Sequence, residues 1–195
     1  MKPGGCAPDK ALGMGLADRR RRRDERGLAL IDLLFVIAII GVLASSAIPG
    51  LIRAKSAAQG ASALGTLRVI SRGQLAFAIT CGNGFYAPDL IGLGTPPLGT
   101  QEGWVPADLG VANTVIKSGY VIQMAGSAVG GSPPSCNGVG AGQLASGYRA
   151  AADPQAPNNM RFFATNASGT IYEAQVPLFG VMPENSPPVG VSPVQ

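Results

Sequence analysis

Residue types that do chemistry are sparse in this chain, and their spacing is informative. Histidine is absent, so a Ser–His or Cys–His relay has no base. No CxxC, HExxH or phosphate-binding loop occurs. Of the seven acids after position 27, no two are close enough in sequence to suggest a two-carboxylate site. Asp153, Glu173 and Glu184 are the late acids, and their spacing fits no calcium loop. The chain therefore reads as something other than an enzyme, with no metal and no cofactor expected. Two features stand out. Cys81 and Cys136 are the cysteines outside the basic start of the chain, and Asp32 is a lone carboxylate inside an apolar run.

The element holding Asp32 is LALIDLLFVIAIIGVLASSAI, residues 28–48, followed by Pro49. As a helix, 21 residues span about 30 Å, the thickness of a bilayer's hydrocarbon core. The residues before it, 1–27, carry eight Lys/Arg against four acids, five of the arginines consecutive. The rest of the chain balances at seven bases and seven acids. All of the net charge of +4 thus lies ahead of Leu28. A nucleic-acid-binding domain carries its basic patch on the folded part, so no nucleic-acid partner is expected. The positive-inside rule instead keeps residues 1–27 in the cytoplasm and exports the chain beyond about residue 49. In oxidising surroundings Cys81 and Cys136 are expected to form a disulfide, the alternative being two buried thiols.

A carboxylate at mid-membrane costs about 2.5–3.5 kcal/mol, and less near the interface. Asp32 sits one turn into the segment if a new chain begins at Leu28. A helix N-terminus and a free α-amine then both favour the anion. A Sec signal cut near Ala44-Ser45-Ser46 and an uncut signal anchor are the competing readings. The length of the run and the acid within it count against both.

The residues Arg26-Gly27-Leu28-Ala29-Leu30-Ile31-Asp32-Leu33-Leu34 resemble the prepilin processing site of type IV pilins and type II secretion pseudopilins. The resemblance is close over residues 22–60. It implies cleavage after Gly27 by a prepilin peptidase, N-methylation of Leu28, and pairing of Asp32 with a neighbour's N-terminal amine during assembly. Asp32 stands where the family usually has glutamate, and Leu28 where it has phenylalanine. Gly41 and Pro49 match the family's helix-weakening positions. The implied partners are the peptidase/methylase, identical or related pilin subunits, the inner-membrane assembly machinery and, before assembly, the lipid bilayer. The implied location is the bacterial inner membrane, then an extracellular pilus or a periplasmic pseudopilus. Met14 offers a second start, which would shorten the leader and remove Cys6.

Four segments follow: a leader (1–27), a membrane or filament-core helix (28–48), its polar continuation (49–80) and a Gly/Pro-rich domain (81–195). In the continuation, Leu64, Leu67, Ile70 and Phe77 fall at helical spacing, with Leu75 and Ile79 broadening the stripe. Arg68 and Arg72 are expected to face away, and the stripe to pack on the domain's own sheet. Strands are expected at 119–124, 148–152, 161–165 and 170–174, the last two joined by a turn at 165–170. That turn contains Asn166-Ala167-Ser168, a glycosylation pattern better read as turn chemistry. Residues 92–106, with Trp104, read as an exposed loop, and the proline-rich stretch 175–195 as a strap or a frayed end. The fold class is α+β, a pilin-like long N-terminal helix on an antiparallel sheet of about four strands.

Overall fold

The computed structural model describes residues 15–157 and 159–194, with side chains from Leu30 onward; Cys6 and a start at Met14 lie outside the described residues. One helix, α1, runs Gly15–Thr80 with Pro49 inside it, so it begins within the expected leader. The chain divides into two compact units, Met1–Arg53 and Ala54–Gln195.

In the first unit every described side chain from Leu30 to Arg53 is exposed. The segment is apolar on all sides and long enough to cross a membrane. Such a helix has no polar face to turn towards water.

The second unit is built on the rest of α1. Its buried positions Ala63, Leu67, Ile70, Gln74, Phe77 and Cys81 recur at alternating steps of four and three, one stripe down one face. Full burial of Leu67, Ile70 and Phe77 contributes about 1.5–3 kcal/mol each. The stripe is narrower than its leucines and isoleucines suggest. Leu75 is 57% exposed and Ile79 75%, so neither broadens it. Small residues take the flanking places instead. At Gly73 an added Cβ would stand 2.6 Å from the Trp104 carbonyl oxygen, so the helix approaches loop backbone where only glycine fits.

The sheet has six antiparallel strands rather than about four, in simple sequential order. They are β1 (Thr114–Lys117), β2 (Tyr120–Ala125), β3 (Arg149–Pro154), β4 (Phe162–Asn166), β5 (Ile171–Ala174) and β6 (Ser192–Pro193). The four expected strands correspond to β2–β5. β1 joins through a tight turn at Ser118-Gly119, both at positive φ. β6 pairs Glu173 with Ser192 at the other edge, where a proline is tolerated. One sheet face supplies Tyr120, Ile122, Met124, Ala150, Ala152 and Phe163 to the core shared with the helix stripe. On the opposite face, Ala151, Ala164 and Tyr172 are covered by Leu178 and Met182 from the C-terminal stretch. That stretch is a strap, and its buried anchors explain why it does not fray.

A short helix, α2 (Leu90–Gly94), interrupts the region expected to be loop. Asp89 caps it, its Oδ1 accepting from the Gly92 N–H at 2.7 Å. Trp104 also departs from the exposed-loop expectation. It lies edge-on to Phe77 with ring centroids 4.9 Å apart, and its indole N–H donates to Thr80 Oγ1 at 3.0 Å. An indole buries its ring readily where its N–H finds a partner.

Candidate functional site

The expected processing and assembly residues all lie on α1. The bond between Gly27 and Leu28 is within the helix, and the side chains there lie outside the described residues. Asp32 is exposed among Ile31, Leu33 and Leu34, themselves more than half exposed. Gly41 has nothing within 4 Å of where a Cβ would stand. The helix passes through Pro49 unbroken, although proline lacks the N–H that would bond the Ser45 carbonyl. Ser45 and Ser46 return their hydroxyls to the carbonyls of Val42 and Leu43 at 2.7 and 2.9 Å. Their polarity is thereby satisfied within the helix, as apolar surroundings require.

Where α1 ends, Cys81 is joined to Cys136, with Cα atoms 5.0 Å apart and a sequence separation of 55. The bridge ties the helix terminus to the long β2–β3 connection.

Three polar groups hold the unit together: Gln74, which the sequence did not single out, and Glu184 and Asn166, which it named in other roles. Gln74, fully buried on the helix stripe, donates to the Ala87 carbonyl and accepts from the Ala87 N–H, both at 2.9 Å. Its amide thus replaces a missing backbone partner for the segment after the disulfide. Glu184 on the strap accepts from the Ser127 N–H and hydroxyl and pairs with Arg149 at 3.3 Å. Asn166 is buried, its Nδ2 donating to the carbonyls of Pro183 and Ser186 at 2.9 and 2.6 Å. The amide in the Asn-Ala-Ser pattern is therefore occupied as a structural clamp. No periodicity marks such residues; a glutamine within an apolar stripe is the one signal that was readable.

The acids of the domain are dispersed. Hydrogen bonding from Arg161 holds the Glu173 carboxyl below the usual carboxylate range, with contacts of 2.6 and 3.0 Å. Burial pushes Asp153 up, and its Oδ1 is buried with no hydrogen-bond partner. Among the described residues no three acids, cysteines or histidines gather as a metal site. A groove of about 670 Å³ is bordered by Gly94, Pro96, Trp104 and Val111, with Glu102 its one charged group. No second titratable group stands beside Glu102 in that groove.

Comparison with protein-family models, with curated proteins and with solved structures finds no match.

Proposed function

We propose that this chain is the structural subunit of a type IV pilus-like filament, cut after Gly27, methylated on Leu28 and assembled through α1. The observation that carries the reading is the lone Asp32 on an uncovered helix that is apolar on all sides. A soluble protein would bury such a segment. A plain anchor has no use for a carboxylate there. The self-satisfied serines and the exported-type disulfide support the same reading. Lipid holds the segment before assembly, and neighbouring helices replace lipid afterwards. The chain itself catalyses nothing in this scheme; it is the substrate of a peptidase and methylase. A type II secretion pseudopilin shares all these features and differs in where the filament ends.

The test is intact mass and N-terminal sequence of the protein from membranes and from sheared surface material. A chain starting at N-methylated Leu28 is expected. A start near Ser46 or Ala47, or an uncut chain, overturns the proposal. In cells, Asp32→Ala is expected to insert normally and to lower filament yield at least about tenfold, the scale of one lost charge pair at an interface. Undiminished sheared filament from that variant removes the pairing role.

A further inference from the structure

Charge in the domain is divided in a way that points to a second copy of the chain. Among the described residues three ion pairs form internally: Lys117–Asp108, Arg149–Glu184 and Arg161–Glu173. Lys55, Arg68 and Arg72 have no ion-pair partner among the described residues, and all three lie on α1. Glu102, exposed on the loop after α2, is likewise unpaired. The cations therefore sit on α1 and this anion on the loop after α2, and the grooves that Arg72 and Glu102 line share no residue.

Each surface carries apolar groups beside its charge. On the helix, Val69, Leu75 and Ile79 are exposed around Arg68 and Arg72. A groove of about 250 Å³ opens there, lined by Arg72, Leu75, Tyr86 and Tyr148. On the loop, Leu98 is 96% exposed. It stands on a tight turn closed by the Thr100 N–H to the Pro97 carbonyl at 3.1 Å. Gly99 in that turn has φ +88°, a value that favours glycine. Two prolines precede Leu98, so it is displayed on stiff backbone and loses little freedom on docking.

We infer that Leu98 of one copy seats in the groove beside Leu75 of the next, with Glu102 set against Arg68 and Arg72. Patch and counter-patch are different surfaces, so the contact is head-to-tail, and repeated without closure it generates an open filament. The inference rests on the filament reading and adds the domain residues that join successive subunits.

The test uses the full-length chain in its producing cells, carrying Leu75→Cys and Leu98→Cys together or singly, treated with a short bis-maleimide. Both sites are exposed, so folding is preserved. The double variant is expected to give a ladder of dimers, trimers and higher species, and each single variant none. Filaments that form normally but give no ladder overturn this contact and leave the filament reading standing. A ladder in membranes without any sheared filament supports the contact and overturns the filament reading. Dimers alone, from either single variant, would show a two-fold contact and overturn the inference. In parallel, Glu102→Arg or Arg68→Glu with Arg72→Glu is expected to lower filament mass about tenfold, and their combination to restore it. Lowered mass without restoration also overturns it.

Discussion

At the scale of single residues, the domain depends on side chains that stand in for backbone. Gln74→Leu keeps the helix stripe apolar but strands the N–H and carbonyl of Ala87, which Gln74 alone serves in its two 2.9 Å bonds. The expected loss is about 1–3 kcal/mol, read as a lowered melting temperature of the detergent-solubilised chain. Two acids should give opposite pH signatures. Glu173 titrates below its unfolded value, so its contribution is present at neutral pH and is lost as pH falls through that depressed value. Asp153 titrates above its unfolded value, so its contribution is present in acid and is lost as pH rises through the raised one. Glu173→Gln should therefore lower the melting temperature at neutral pH and change little in acid. Asp153→Asn should raise it at neutral pH and likewise change little in acid. Melting curves at both pH values check the pair, and the same sign for the two variants would contradict the assignment.

At the scale of elements, the strap is the part whose role is least visible in composition. Asn166→Ala removes both bonds to the strap, to the Pro183 and Ser186 carbonyls. It is expected to cost about 1 kcal/mol overall while raising proteolysis within residues 175–191 much more, because local opening needs less than global unfolding. Limited proteolysis against wild type measures this. Strands β2–β5 were legible because each combines β-branched, aromatic or alanine residues with flanking turn residues. β1 was not, because Thr-Val-Ile-Lys is a short edge strand whose identity comes from pairing with β2. β6 contains a proline, which argues against a strand except at an edge, and only the fold reveals that edge. Leu75 and Ile79 looked like core because hydrophobicity does not say which of several apolar positions a helix will turn inward. Gly73 helps decide that by letting the backbone at Trp104 come close. The long apolar helix was more legible than the domain, since length and hydropathy are properties of sequence rather than of packing.

At the scale of the whole molecule, α1 belongs to both compact units, and the link from Cys81 to Cys136 adds a second covalent tie to the domain just past the helix end. Removing that link with Cys136→Ser should cost about 4 kcal/mol for a loop of this length, by the chain-entropy argument. It also decides how the protein behaves under load. A pull applied along the helix and resisted near the C-terminus meets a cross-link immediately after the helix ends. The loop it encloses, set by a sequence separation of 55, is bypassed and cannot be drawn out. Stretched singly, an oxidised chain should reach full extension about 190 Å shorter than a reduced one, at roughly 3.4 Å per residue. A chain cross-linked in this way has a fixed limit on how far it can lengthen before a covalent bond must give.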